Sequence, residues 1–241
     1  SRTSYLQKDF ISSISHEFKT PIASIRGFVR LLQMPGLTEA QRQEYVDLIA
    51  QESDRLSRLS QTLLRLSALE QQSAPASLTE FSLDEQLRQV ILRLEPTWSV
   101  RGISWQLDLN SVTVVSDEEL LSHVWMNIIQ NAIKFSPENA VIEVRVFATD
   151  TATVEITDLG IGMDDATVKR IFDRFYQADR SRKQEGVGLG LCLVKRILDM
   201  LGGTVSVDSR PGEGSTFRIH VPFRPKYDEA AHTGEREGKS P

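Results

Sequence analysis

The sequence predicts an α+β multidomain chain: a helical hairpin that pairs with a second copy into a four-helix bundle, followed by an α/β layer. Three observations carry that reading. Residues 1–72 lack strand alternation and hold only two glycines, Gly27 and Gly36, while their apolar residues recur at helical spacing. Residues 71–80, QQSAPASLTE, are small, polar and proline-containing, as a linker is. After them short alternating runs interleave with amphipathic segments, the pattern of helices laid on a mixed sheet. The expected division is 1–72 hairpin, 73–80 linker, 81–223 α/β domain, and 224–241 a polar tail with too few apolar residues to fold.

Within the hairpin, Pro35 and Gly36 end one helix, and Thr38 with Gln41 forms a capping box that opens the next. Tyr45, Ile49, Glu52, Leu56, Leu59, Leu63 and Leu66 then alternate by four and three, a heptad seam. The first helix carries a broader apolar face from Leu6, Phe10, Ile14, Phe18, Ile22, Ile25, Val29 and Leu32. A lone hairpin cannot cover both faces, which is the reason to expect a homodimer. The alternative is that the seams pack on the rest of the same chain. The stretch SSISHEFKTPIASIRGF sets Pro21 inside the first helix, one turn after His16. Proline removes a helical hydrogen bond, so this turn is read as a weakened, bendable point.

In the second half, Ser82 with Glu85 is read as capping a helix through about Leu94, and Ser116 with Glu119 a helix through about Phe135. ISWQLDL, VIEVRVFAT, TATVEITDLG, TVSVDS and STFRIHVPF read as strands, and 186–201 as a helix entered through glycines and ended by Gly202-Gly203.

Composition narrows the function. Hydrophobic residues make up 40% and charged residues 25%, with a net charge of −5, so no basic stripe supports nucleic-acid binding. No apolar run is long enough to span a membrane. The single cysteine, Cys192, excludes an internal disulfide and cysteine zinc clusters, and it reads as a small core residue.

Three motifs point to a nucleotide. Asn127, Asn131 and Lys134 fall on one face of an otherwise apolar helix. An amide oxygen there can ligate a hard cation and the lysine can meet phosphate, although a solvated face has the same pattern. Asp158 at a strand end is followed by Gly160 and Gly162. Its carboxylate can accept from an exocyclic amine while the glycines admit a ligand to the backbone, but a plain Asp-x-Gly turn reads the same way. Gly186, Gly188 and Gly190 lead a loop into a helix, where free N–H groups favour phosphate; the spacing fits neither a Walker A loop nor a dinucleotide fingerprint, and a hinge is the alternative. Gly212 and Gly214 mark a tight turn.

In that order, Asn127-x-x-x-Asn131, Asp158-x-Gly-x-Gly, Phe172-x-x-Phe175, Gly186-x-Gly-x-Gly and Gly212-x-Gly resemble the ATP-binding domain of sensor histidine kinases. SHEFKTP resembles the phosphoacceptor box of the same family, and the resemblance spans about residues 5–223. It implies a four-helix dimerisation bundle followed by an ATP-binding α/β sandwich of the Hsp90, gyrase and MutL type. It implies a kinase that phosphorylates His16, with Glu17 as general base and Thr20 positioning a water for dephosphorylation of the partner. ATP and Mg2+ are the implied cofactors, with Asn131 on the metal, Lys134 and Asn127 at the phosphates and Asp158 on adenine. Gly160, Gly162, Gly186, Gly188, Gly190, Arg182 and Thr216 complete the implied nucleotide-binding set. The implied partner is a response-regulator receiver domain, and the implied setting is the cytoplasmic part of a bacterial protein anchored in the membrane by a segment upstream. The competing readings are a degenerate kinase serving as scaffold or phosphatase only, and an ATP-gated clamp, which needs no phosphoacceptor helix. Leu159 departs from the family by placing an apolar residue after the motif aspartate, and Gln177 stands where relatives carry arginine.

Overall fold

The computed structural model of the chain describes residues 2–72, 75, 77–176 and 188–224. They form two compact units, one of residues 2–68 with 173–176 and 188–189, the other within 69–172 and 190–224.

Two long helices build the first unit, α1 (Arg2–Leu32) and α2 (Glu39–Gln71). The turn between them uses Gly36 at φ 82°, a left-handed conformation that costs glycine little. The Thr38–Gln41 capping box forms as the sequence predicts: Thr38 Oγ1 accepts from the Gln41 N–H at 3.2 Å, and Gln41 Oε1 accepts from the Thr38 N–H at 3.0 Å. Every residue of the predicted heptad seam on α2 is buried or half-buried, and Phe28 of α1 stacks on Tyr45 with ring centroids 6.1 Å apart. The α1 helix continues unbroken through Pro21, which is itself buried. Ile22, Val29 and Leu64 stay 43%, 40% and 69% exposed, so apolar surface remains that one hairpin does not cover.

The second unit is a sheet faced by helices. A two-stranded antiparallel ribbon pairs β1 (Thr79–Ser82) with β3 (Thr113–Ser116), so strand pairing starts inside the stretch read as linker. The main sheet has the order β2 (Ser104–Leu109), β4 (Val141–Ala148), β5 (Ala152–Asp158), β7 (Gly214–Val221), β6 (Thr204–Arg210). The β2–β4 pair is parallel and the other three are antiparallel, giving the mixed sheet expected. Three helices, α3 (Leu83–Arg93), α5 (Glu118–Phe135) and α7 (Gly190–Leu201), cover it, with short turns α4 (Glu95–Trp98) and α6 (Asp165–Val168) between. The core joins Leu87 and Val90 of α3, Leu121, Trp125 and Ile128 of α5, and Val194 and Ile197 of α7 to Val144, Ile156 and Ile219 of the sheet. On the polar side of the sheet a row of alternating charges crosses all five strands. Arg145 pairs with Asp108 (3.6 Å) and Glu155 (3.2 Å), and Arg218 with Glu155 (2.6 Å) and Asp208 (3.4 Å). Cross-strand pairs of this kind fix register more than they add stability.

Three sequence expectations are corrected. The cap of α5 is Asp117, whose side chain accepts from the Leu120 N–H, because Ser116 ends β3. Ser82 stands at the start of α3 but gives no side-chain cap; its hydroxyl donates to Asp84 Oδ1 at 2.6 Å instead. The α7 helix starts at Gly190, the last glycine of its motif, since each earlier glycine would cost helix stability. The residues before 188 in that motif, and the tail after Arg224, lie outside the described residues.

Buried Trp125 locks α5 to α3: its Nε1 donates to Gln86 Oε1 at 2.7 Å, and Gln86 Nε2 donates to the Glu118 carbonyl at 2.7 Å. Trp125→Phe removes volume and leaves the Gln86 oxygen without its donor. The expected loss is about 2–4 kcal/mol in urea unfolding of the second unit.

Candidate phosphoacceptor and nucleotide sites

His16 stands exposed on α1, while Glu17 beside it is half-buried and turned toward the seam. Thr20, one turn on, donates its hydroxyl to the His16 carbonyl at 3.3 Å, a local bond that loosens and bends helices. With no N–H, Pro21 cannot donate to the Glu17 carbonyl, so that carbonyl lies outside the regular ladder. Across the hairpin, Arg55 of α2 lies 3.8 Å from Glu17 and 3.8 Å from Glu52.

Among the described residues, the nucleotide signals fall in the second unit apart from Gly188. Asn127, Asn131 and Lys134 share one half-buried face of α5. Asn127 Nδ2 donates to the His123 carbonyl at 2.8 Å, and a Cβ at Gly190 would stand 2.6 Å from Asn127 Oδ1, so a larger residue there would displace the Asn127 amide. Lys134 Nζ lies 4.8 Å from the centre of the Phe135 ring. Gly188, in the first unit, accepts at its carbonyl from the Phe175 N–H at 2.9 Å. Phe175 is buried with φ at 59°, a left-handed conformation that an aromatic residue rarely adopts, and it closes the Phe172-x-x-Phe175 motif onto Gly188. Gly186 and Arg182 lie outside the described residues.

Asp158 ends β5 and is 5% exposed. Burial pushes its carboxyl up to about 6, against the pull of backbone hydrogen bonds from Gly160 and Ser215. Its loop is clasped by the β6–β7 turn. Gly162 takes φ 62° where a Cβ would lie 1.8 Å from the Arg210 carbonyl oxygen, and a Cβ on Gly214 would lie 2.0 Å from the Asp158 carbonyl oxygen. Ile161 accepts from the Gly212 N–H at 2.7 Å, and Ser209 Oγ accepts from the Met163 N–H at 2.8 Å. The turn read from sequence only as tight is thus the support of the Asp158 loop. Asp158, Ser209, Arg210, Glu213, Ser215 and Thr216 line a cavity of about 340 Å3 with their neighbours. The hydroxyls of Thr216 and Thr157 share a hydrogen bond at 2.9 Å, and the residue in register with Asp158 is Ser215. Sequence reasoning missed Ser215 and Ser209; the strand alternation around Asp158 was the available signal. Leu159 is 60% exposed beside this loop.

The site's chemistry suits an adenine nucleotide: a buried carboxylate acceptor, glycines that bare the backbone, and a helix beginning at glycine. Among the described residues no three acidic, histidine or cysteine side chains cluster as a metal cage. An amide oxygen with phosphates and water is the donor set that Mg2+ accepts, and Asn131 on the Asn127–Lys134 face fits it.

Comparison with known proteins agrees. Residues 6–72 match the His Kinase A (phospho-acceptor) domain, and residues 116–225 match the histidine kinase-, DNA gyrase B- and HSP90-like ATPase family. The heme sensor protein HssS of Staphylococcus saprophyticus is 31% identical over 222 residues, which cover 92% of this chain and 48% of HssS. Full-length ShkA, solved with AMPPNP, aligns with TM-score 0.67 at 29% identity over 90% of this chain and 46% of its own. The fold also matches histidine kinase ThkA solved with the response regulator TrrA, at TM-score 0.75 and 23% identity, over 92% of this chain and 64% of that one. The chain belongs to the two-component sensor histidine kinases, and carries their phosphoacceptor hairpin and their ATP-binding domain. It spans about half the length of HssS. No described helix is long and apolar enough to cross a membrane.

Because the folded-state pKa of Asp158 is about 6 against 3.8 unfolded, its stabilising contribution is full below pH 4 and lost as pH rises through 6. Asp158→Asn is therefore expected to melt higher than the wild type at pH 7.5, by on the order of 2 kcal/mol, with the gain closing below pH 4. The same variant should lose adenine-nucleotide binding, measured by calorimetry at pH 7.5.

Proposed function

We propose that the chain uses ATP to phosphorylate His16 and passes the phosphoryl group to an aspartate of a response-regulator receiver domain, from which it also removes it. The observation that carries this is the coexistence in one chain of an exposed His16, flanked by Glu17 and Thr20, with a buried carboxylate set over a glycine-bared cavity. His16 belongs to one unit and Asp158 to the other. In this reading residues 1–72 are the dimerisation and phosphoacceptor hairpin, 73–80 the linker, 81–223 the ATP-binding domain and 224–241 a tail.

An imidazole nitrogen of His16 attacks the γ-phosphorus of ATP; the nitrogen–phosphorus bond forms, and the bond to the bridging oxygen breaks with its electrons leaving on ADP. Glu17 orients the ring through the other nitrogen and takes up the imidazole proton. Asp158 holds adenine by accepting from its amine; Gly160 and Gly162 bring backbone to it. Asn127 and Lys134 meet the phosphates, with Gly186, Gly188, Gly190, Arg182 and Thr216 in the surrounding set. Mg2+ bound at Asn131 would offset phosphate charge. The exposed Ile22, Val29 and Leu64 are the surface that a second copy covers in the dimer. AMPPNP bound to ShkA and TrrA bound to ThkA support the choice of nucleotide and partner. The work is set on the cytoplasmic side, where ATP is supplied.

With γ-labelled ATP and Mg2+, the wild type should gain acid-labile, base-stable label that His16→Gln loses entirely; an unlabelled wild type overturns the proposal. Thr20→Ala removes the hydroxyl that bonds the His16 carbonyl and is proposed to position water. It should keep autophosphorylation within about two-fold and slow loss of phosphate from a phosphorylated receiver domain at least about ten-fold.

A further inference from the structure

The catalytic reading leaves one group of charges unused: Arg55 with Glu17 and Glu52. Arg55 Nη2 lies 3.8 Å from Glu17 Oε2, and Arg55 Nη1 lies 3.8 Å from Glu52 Oε2. All three side chains are about three-quarters removed from water, with exposures of 26%, 22% and 25%. At 3.8 Å neither contact is a hydrogen bond, and Glu52 Oε2 is closed off from solvent with no hydrogen-bond partner. A guanidinium satisfies one carboxylate through two parallel bonds. Stretched between two, it satisfies neither, and the loose triad has two tighter arrangements. In one, Arg55 closes on Glu17 and leaves Glu52 unpaired. In the other it closes on Glu52 and leaves Glu17 free.

We infer that Arg55 is a positioning residue that restrains the base Glu17, and that Glu52 is the alternative partner that lets it go. This rests on the reading of His16 and Glu17 given above. The ring of His16 is exposed while Glu17 faces the seam, so Glu17 must turn away from Arg55 to take up the imidazole proton. That turn strands a half-buried cation unless another carboxylate takes it, and burying an unpaired charge is costly. Glu52, one turn before Arg55 on α2 and already short of a donor, is placed to take it. Removing the arginine leaves two carboxylates facing each other across the seam, and their repulsion drives Glu17 outward toward His16. Removing the Glu52 charge leaves Arg55 with Glu17 as its sole anion.

The two substitutions therefore push in opposite directions. Arg55→Gln should raise the initial autophosphorylation rate several-fold. Glu52→Gln should lower it several-fold. The double variant should fall between the wild type and Arg55→Gln, since it loses the restraint on Glu17 but also the repulsion that drives Glu17 outward, and Arg55→Lys should return most of the way to the wild-type rate. The full chain is assayed with γ-labelled ATP, with KM for ATP and melting temperature followed alongside. A loss of hairpin stability would slow both single variants together, so slowing by Arg55→Gln, or Glu52→Gln as fast as wild type, overturns the inference. Absence of label from the wild type would overturn the reading of His16 itself, and this inference with it.

Discussion

The seating of the Asp158 loop on the β6–β7 turn is the constraint on which the nucleotide-binding unit depends. A carboxylate that binds a base amine, the role proposed for Asp158, has to leave bulk water yet stay ionised, and burial opposes the charge. Hydrogen bonds from Gly160 and Ser215 work against that opposition without cancelling it, as the raised pKa of Asp158 shows. To bring those backbone groups so near, the loop must pass where side chains do not fit. Gly162 meets the Arg210 carbonyl and Gly214 meets the Asp158 carbonyl at separations no Cβ would survive. Ser209 then bridges the two segments, receiving from Met163 and lying 2.9 Å from the Ser215 hydroxyl. The strand order β5–β7–β6 follows from the same need, because it sets the turn directly beside the end of β5.

The hairpin is organised on the opposite principle. Where the Asp158 loop is clasped tightly, the turn bearing His16 is left loose. Thr20 bonds back to the His16 carbonyl, Pro21 withholds a donor from Glu17, and Arg55 stands too far from either glutamate to bond it well. A binding pocket gains from rigidity because ordering is completed before the ligand arrives. A nucleophile that meets both ATP and a receiver domain, as proposed for His16, gains from a surrounding that has more than one arrangement of similar energy.

Much of this was legible in the sequence because the signals are local. The Thr38–Gln41 box, the α2 heptads, the strand runs and the Asp158 position are each written within a few residues of one another. What escaped depends on residues distant in the chain. Asp117 displaces Ser116 as cap because β1 draws Ser116 into a strand, and β1 itself hides in a polar stretch that reads as linker. Ser82 loses its capping role to Asp84, which also accepts from the Val112 N–H at 3.2 Å, far along the chain. The partners of Asp158 needed the register of β5 on β7, which alternation alone does not give. Glu52 was visible as an acid on an apolar seam, but its reason, a cation shared with α1, appears only once the helices are side by side.

The path of the chain through the sheet has a kinetic side. The β4–β5 and β6–β7 pairs join strands adjacent in sequence, but β5–β7 brings together segments separated by α6, α7 and β6. Loop closure makes such non-local pairing slow relative to hairpins. The register that ends this pairing matches Asp158 with Ser215, so the cavity is finished only when this non-local pairing is made. If ATP binds there as proposed, it recognises completed chains alone and draws the folding equilibrium toward them. In the proposed function, the substrate is in this sense also the ligand that certifies the second unit as folded.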